Sequence, residues 1–367
     1  MTNSPLRVLV LQEHVPPYRV PIFSLLGERP EIELTVAVSV DRPATSQPAF
    51  RVRTYDVKRR RRFVRASIRE LIKSAEYDVV VAMFNLRWID FVALSFRRHR
   101  PFGLIYWGIG ISSERGYRRR PIMDVVRRFV AGRADALILY SERAAGEYTR
   151  VARLSRQVFV APNTVDVPGS RPLGADGSQS SFLFVGTMRE DKGIDDFIDA
   201  YALARPHFTR RVTLTLIGDG PIYNRTCQRV LEMGLADDVS LVGAIHDIGD
   251  QERYFSEAIA CISPRQAGLS VLSSMAYGVP FVTQVDSVTG GERFNIAPGE
   301  NGVLYQGGPP QLAVEMVALV EDSERTRRMG RAAYDHYQHS ATASHMIDGY
   351  VRAILFAASG SGRRHKR

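Results

Sequence analysis

The sequence predicts an α/β protein built from two successive doubly wound parallel-sheet domains. Three features carry that expectation. Short unbroken apolar runs of strand length recur along the chain, segments of helical periodicity separate them, and a break rich in Gly, Pro and Ser at 168–178 is followed by a fresh start of the same alternation. With 367 residues, 45% of them hydrophobic, the chain is long enough for two or three domains with substantial cores.

In the first half, the run RVLVL at 7–11 is a strand, and helical spacing over 18–26 follows Pro16-Pro17. A strand at 33–38, a helix at 67–75 and a strand at 78–82 come next, then a helix at 89–99, a strand at 104–107, a helix at 121–132 and a strand at 136–139. A helix at 142–148 and a strand at 158–160 complete this half. Continuous apolar strands of this kind suit a parallel sheet covered on both faces. In the second half, strands at 181–185, 212–217, 239–242, 260–262 and 281–283 alternate with helices at 194–204, 222–233, 251–258 and 270–277. Helices at 311–320 and 324–339 follow. The expected division is a first domain at 1–167, a linker at 168–180, a second domain at 181–341, a helix at 342–358 returning to the first domain, and a basic disordered tail at 359–367.

Cys227 and Cys261 are the two cysteines and lack metal-ligand spacing, which points away from a disulfide framework and towards a reducing compartment. No apolar run reaches the ~18–20 residues that span a bilayer, and the first residues lack the pattern of a signal peptide. The expectation is a cytoplasmic protein. The net charge of +10 is uneven, with 29 Lys and Arg against 16 Asp and Glu in residues 1–167, and 20 against 23 thereafter. A basic first half implies an anionic surface or substrate.

Three runs in the second half carry the candidate chemistry. Phe184-Val185-Gly186-Thr187-Met188-Arg189-Glu190-Asp191-Lys192-Gly193 joins a strand, a glycine turn and a helix start. Glycine lets a phosphate approach the backbone, while Lys192, Arg189 and the helix N-terminus would hold its charge. An ordinary strand-to-helix turn with surface charges is the plainer alternative. Ile217-Gly218-Asp219-Gly220-Pro221 is a second glycine-rich strand end, at the sheet edge where ligands bind in such folds. The third run, 263–280, has a strand end, a loop at Gly268-Leu269-Ser270, a helix through Ser273 and a Gly278-Val279-Pro280 stop, and it too has a ligand-free reading as a tight helix entry and exit.

In this order and spacing the runs resemble the family-4 glycosyltransferases, retaining enzymes of the GT-B fold, and in particular a bacterial polysaccharide and glycolipid branch. Pro17-Tyr18-Arg19-Val20-Pro21-Ile22-Phe23 is similar to that branch's first-helix entry, and Trp107-Gly108-Ile109-Gly110 resembles its Trp-Gly-His-Gly loop. Residues 134–141 and 160–166 are similar to the end of its first domain, and Gly290-Gly291-Glu292 with Gly299-Glu300-Asn301-Gly302 to its late signature. The similarity covers about residues 6–355. It implies two Rossmann-like domains with a cleft between them and transfer of a sugar from a nucleoside-diphosphate sugar to an acceptor hydroxyl, with retention and without metal or other cofactor. Lys192 and Arg189, with His14 and Glu292, would be catalytic. Gly186, Thr187, Gly218, Asp219, Gly220, Gly243, Gly268, Leu269, Ser270 and Ser273 would bind the donor. Gln12, Arg19, Trp107 and Gly108 would bind the acceptor, a glycan, a lipid-linked or a small molecule.

The sequence also departs from the family pattern. Arg265 and Ser273 stand where many members carry two glutamates, and Thr187 where an arginine is usual. Ile109 replaces the loop histidine with a side chain that neither donates a hydrogen bond nor titrates, leaving His14 or Glu292 to cover that role. A binding-only GT-B relative is therefore the alternative. The basic run Lys58-Arg59-Arg60-Arg61-Arg62, continuing through Phe63, Val64, Arg65, Ile68, Arg69 and Leu71, predicts an amphipathic helix suited to anionic lipid at the inner face of the cell membrane, or a solvated charged face. Arg97-Arg98-His99-Arg100, Arg118-Arg119-Arg120 and Arg127-Arg128 add to the basic first half. Nucleic acid would also match the charge, but no zinc-ligand spacing or RNP-like aromatic run accompanies it.

Overall fold

Strand-forming apolar runs organise both halves of the chain, and in the second half those at 181–185, 213–217 and 239–243 run into glycine turns. A computed structural model describes residues 4–39, 48–73, 77–97, 99–110, 121–150, 157–173, 179–245 and 247–364. It divides into two compact units: unit 1 runs to Asp166 and takes back the last helix from Ala343, and unit 2 spans Val167–Thr342. The candidate basic segment 118–120, Arg98 and the linker's 174–178 lie outside the described residues.

In chain order, unit 1 contains β1 (Leu6–Leu11), α1 (Arg19–Gly27), β2 (Ile32–Val38), β3 (Arg51–Thr54), β4 (Val57–Arg60), β5 (Phe63–Ala66), α2 (Arg69–Lys73), β6 (Val79–Met83), α3 (Ile89–Leu94), β7 (Gly103–Gly108), α4 (Pro121–Ala131), β8 (Ala136–Leu139), α5 (Glu142–Thr149) and β9 (Val158–Val160). Seven strands form a parallel sheet of order β3-β2-β1-β6-β7-β8-β9. Its central strands are buried on both faces, which explains their unbroken apolar sequences. One face packs against β5 and α2 to α5, through Val64, Leu71, Phe91, Val130 and Tyr148.

Two expectations for this unit are corrected. The basic run at 58–62 is a hairpin, not a helix: β4 and β5 pair antiparallel, with Val57 opposite Ala66 and Arg60 opposite Phe63. The side chains alternate, Val64 and Ala66 inward and Phe63 and Arg65 outward, which is strand periodicity. Arg61 turns the chain with φ 53°. Arg100 also leaves the basic surface, buried in an ion pair with Asp135 (3.2 Å) whose carboxylate accepts the Leu104 amide at 2.8 Å.

Unit 2 contains β10 (Ser181–Val185), α6 (Ile194–Ala204), β11 (Thr213–Ile217), α7 (Tyr223–Glu232), β12 (Val239–Gly243), α8 (Ile248–Ser256), β13 (Ala258–Ile262), β14 (Gln266–Ala267), α9 (Ser270–Ala276), β15 (Phe281–Gln284), β16 (Val288–Thr289), β17 (Gly302–Tyr305), α10 (Pro309–Glu321) and α11 (Ser323–Ser340). Six strands make a parallel sheet of order β12-β11-β10-β13-β15-β17. The order reverses between β10 and β13, and in open sheets of this kind the carboxyl ends at such a reversal are where a ligand crevice forms. Leu173, in the expected linker, already donates its amide to Tyr277 O at 2.9 Å.

The final helix, α12 (Ala343–Arg364), covers the second face of the unit 1 sheet with Met346, Ile347, Tyr350, Ala353, Ile354 and Ala357. It extends six residues past the expected end at 358, through most of the segment read as a disordered tail. Among the described residues no helix is long and apolar enough to cross a membrane. Helix and sheet meet closely at Gly349, where a Cβ would fall 2.2 Å from Val160 O. Gly349→Ala should therefore force α12 off β9 and destabilise the protein by about 1–3 kcal/mol, as overpacking does, read as a lowered urea midpoint with an unchanged slope.

Candidate active site

The crevice of unit 2 is shaped by backbone before any side chain enters it. Beyond β10, Gly186 N donates to Ile217 O at 3.0 Å and Met188 N to Asp219 O at 2.9 Å, while Gly218 N donates to Gly243 O at 2.8 Å. The ladder thus continues past the strands and ties three turns together. Gly218, at φ 149°, sits so close that a Cβ would lie 1.9 Å from Gly186 O, and Gly220 has the same relation to Met188 O at 2.4 Å. Any other residue at these positions would push the first turn away. Asp219 folds onto its own turn, accepting the Gly220 amide at 2.6 Å, with its residue exposed to solvent.

After the turn, the chain makes one 3₁₀ turn over Glu190–Lys192, and Gly193 in the left-handed region starts α6. This returns Lys192 towards the crevice. Its Nζ lies 3.8 Å from where a Cβ on Gly186 would stand and 4.0 Å from where one on Gly268 would stand. The ammonium is therefore set between the turn after β10 and the loop before α9. Burial, reinforced by the positive charge of Arg189 and opposed by Asp191 and Glu292, pushes its pKa down to about 8.

Glu292 reaches the same place by another route. β14 pairs with β16, Ala267 opposite Thr289, which lays the 288–292 segment beside the loop at Gly268. The Glu292 carboxylate is buried, 4% exposed, and accepts the Gly290 amide at 2.8 Å and the Thr289 hydroxyl at 3.1 Å. Thr289 in turn accepts from the amides of Gly291 and Arg293, both at 3.1 Å. Thr289 was not singled out from sequence, where an isolated threonine gives no signal of this turn.

Of the expected residues, Lys192 and Glu292 from the catalytic set and Gly186 and Gly268 from the donor set thus lie in one neighbourhood. Leu269 and Ser270 enter α9 half-buried beside Gly268, and Ser273 is buried one turn on, its hydroxyl 3.5 Å from Leu269 O. Thr187 is exposed, and Gly243 is half-buried at the end of β12. The neighbouring arginines are engaged. Arg189 forms a two-bond pair with Asp191 (3.1 and 2.9 Å), and Arg265 does so with Asp196 (2.6 and 2.8 Å). Arg225 bridges Glu190 and Asp195. Lys192 makes no salt bridge to a described residue. Two polar atoms of the third run, Ser263 Oγ and Gln266 Oε1, are buried without a hydrogen-bond partner among the described residues. Among the described residues no cluster of three His, Cys, Asp or Glu side chains could hold a metal ion.

The expected acceptor residues belong to unit 1. His14 is exposed on the loop after β1. Gln12 is buried there, its carbonyl accepting the Tyr55 hydroxyl and its Nε2 without a partner. Arg19 is turned inward rather than towards an open surface. At 3% exposure its guanidinium bonds Asn163 and Met346 Sδ and lies over the rings of Trp107 (5.3 Å) and Tyr140 (5.7 Å). Trp107 is likewise a core residue, packed on Phe23 and Tyr350, with its Nε1 lacking a partner. Gly108 follows it, buried at the end of β7.

Residues 179–322 match the family described as glycosyl transferases group 1. Among curated proteins, the chain is 22% identical over 242 residues to N-acetyl-alpha-D-glucosaminyl L-malate synthase of Bacillus anthracis, covering 63% of this chain and 62% of that one. It is 26% identical over 240 residues to D-inositol 3-phosphate glycosyltransferase of Segniliparus rotundus, covering 60% and 53%. Against O-antigen chain mannosyltransferase C of Escherichia coli the figures are 25% over 289 residues, 75% and 74%. The matches to the first two thus span less than two thirds of those proteins. Among solved structures, HepE of Anabaena in complex with UDP and glucose superposes with TM-score 0.70 at 18% identity, covering 95% of this chain and 99% of that one. Sucrose-phosphate synthase of Thermosynechococcus elongatus gives 0.70 at 19%, covering 96% and 100%. The strand order and these likenesses agree on the GT-B fold for the chain, and the match to glycosyl transferases group 1 lies over residues 179–322 of its second unit.

Proposed function

We propose that the protein is a retaining, metal-independent glycosyltransferase that takes a sugar from a nucleoside-diphosphate donor and passes it to an acceptor hydroxyl in bacterial surface polysaccharide or glycolipid synthesis. The observation that carries this reading is the ammonium of Lys192 between the Gly186 turn and the Gly268 loop, at the strand-order reversal of unit 2. A diphosphate seated there meets a cation desolvated in advance, together with the amides of Gly268, Leu269 and Ser270. Such groups stabilise the charge that grows on a departing diphosphate, and they supply what a bound metal otherwise would. The likeness to HepE, solved with UDP and with UDP-glucose, supports a nucleotide-sugar donor.

In this reading, Gly218, Asp219, Gly220 and Gly243 border the nucleoside, and Gly186, Thr187 and Ser273 line its path. Arg189 exchanges Asp191 for phosphate when the donor arrives. Glu292, held by the Gly290 amide and Thr289, faces the sugar and keeps Lys192 charged. The leaving diphosphate takes the proton of the acceptor hydroxyl, which attacks from the face that the diphosphate vacates, so the anomeric configuration is kept. Gln12, His14 and Gly108 contact the acceptor, while Arg19 and Trp107 hold that loop in shape from behind. The protein works in the cytoplasm at the inner face of the membrane, where Lys58, Arg59, Arg60, Arg61 and Arg62 of the hairpin meet anionic headgroups.

Differential scanning fluorimetry against a panel of nucleoside diphosphates and their sugars should raise the melting temperature for one nucleotide, and the rise should shrink in Lys192→Ala. With that donor, Lys192→Ala should lower kcat by about a hundredfold or more, from ~3 kcal/mol for a charged contact to the departing phosphate. Near-normal turnover would move the site elsewhere. Because Lys192 is charged below about pH 8 and neutral above it, kcat/KM for the donor should be level below that value and fall as pH rises through it. Lys192→Arg should shift the falling limb to higher pH.

A further inference from the structure

The helix α4 is built inside out. Ile122, Val125, Val126 and Phe129, spaced as one helical stripe, are 79%, 64%, 40% and 53% exposed. A surface helix ordinarily turns such a stripe to the core. Here the other side faces the protein, with Val130 and Ala131 buried and Asp124 paired to Arg127 at 3.0 Å in partly buried positions. Phe96, just beyond α3, is 51% exposed and extends the stripe, its ring 6.2 Å from that of Phe129. Arg133 lies 3.7 Å from the Phe129 ring centroid and 5.1 Å from that of Phe96, and Arg128 stands exposed beside them.

The hairpin of β4 and β5, with α3 and α4, packs on one and the same face of the unit 1 sheet. Its exposed end carries Arg60, Arg61 and Arg62, the last 5.2 Å over the ring of Phe63, itself 41% exposed. The acids on these elements are occupied, Asp124 by Arg127 and Asp90 by Arg65 and the Ala66 amide. An apolar stripe with aromatic rings, flanked by arginines and poor in free acids, matches the chemistry of an anionic bilayer surface.

We propose that this face of unit 1 docks on anionic lipid, with the α4 stripe and Phe96 seated at the acyl boundary and Arg60, Arg61, Arg62, Arg128 and Arg133 on the headgroups. The anchor is thus α4 rather than the basic run alone. This inference concerns a surface and holds whether or not Lys192 grips a diphosphate.

The full chain is tested by flotation with vesicles of phosphatidylcholine alone and of phosphatidylcholine with about one third phosphatidylglycerol. The wild type should float with the anionic vesicles only. Ile122→Ser/Val125→Ser/Phe129→Ser should bind them at least about tenfold more weakly, a change of about 1.4 kcal/mol, with an unaltered melting temperature because these side chains are exposed. That deficit should persist in high salt, whereas the deficit of Arg60→Ser/Arg61→Ser/Arg62→Ser should be confined to low salt. A polarity-sensitive dye on Val125→Cys, in a Cys227→Ser background, should shift to the blue on anionic vesicles. Undiminished binding by the α4 variant, or a dye that stays in water, overturns the proposal. So does a wild type that ignores vesicles but dimerises in sedimentation equilibrium through the same stripe, which would make α4 a self-association face.

Discussion

The approach of Gly218 to the carbonyl of Gly186 is the constraint on which unit 2's site depends. A parallel sheet delivers its strand ends to one edge but does not fix the loops beyond them. Here the loops are fixed by backbone hydrogen bonds that run on past β10, β11 and β12, and the ladder closes only because two glycines leave room for the neighbouring chain. With the turn pinned, the short 3₁₀ step to Gly193 sends Lys192 back over the crevice rather than out to solvent. Without that pin, a flexible lysine would lose its place at the cost of very little energy.

Charge within the crevice is arranged with similar economy. Arg189, Arg225 and Arg265 are each held by carboxylates on α6 or the turn before it. Lys192 is left partly stripped of water, with its charged form weakened, and it gains most from an arriving anion. Exposed pairs of this kind add little stability, so their contribution here is to orient the arginines. Arg265 is placed in the same way, its guanidinium paired with Asp196 of α6.

Much of this was legible from sequence because parallel strands buried on both faces must be apolar without interruption. Runs such as VVVAM at β6 and SFLFV at β10 were visible for that reason. Elements that rely on partners were not. β3 is exposed along its whole length and joins the sheet only through β2. The charged hairpin hides its period of two behind four arginines, and β17, only four residues long, begins at the last glycine of the 299–302 signature and gives no separate strand signal. Helix α8 begins at Ile248, three residues before the apolar pattern suggested, because Asp247 caps it by accepting the amides of Gly249 and Asp250. The glycine runs marked three loops that the structure sets side by side, but the placing of Glu292 within electrostatic range of Lys192, a hundred residues earlier, depends on the pairing of β14 with β16. Two residues per strand leave no periodicity to read.

The return of α12 to unit 1 has a consequence for how the chain is made. On the ribosome, the sheet face that holds Trp107 and Ile138 has only the part of its cover that α1 gives, through Ile22, Phe23 and Leu26, until residues beyond 343 emerge. Synthesis of the intervening residues, 167–342, takes roughly 10–35 s at about 5–20 residues per second. The first unit to be translated is therefore the last to be finished, and for that interval it presents an oily sheet to the cell.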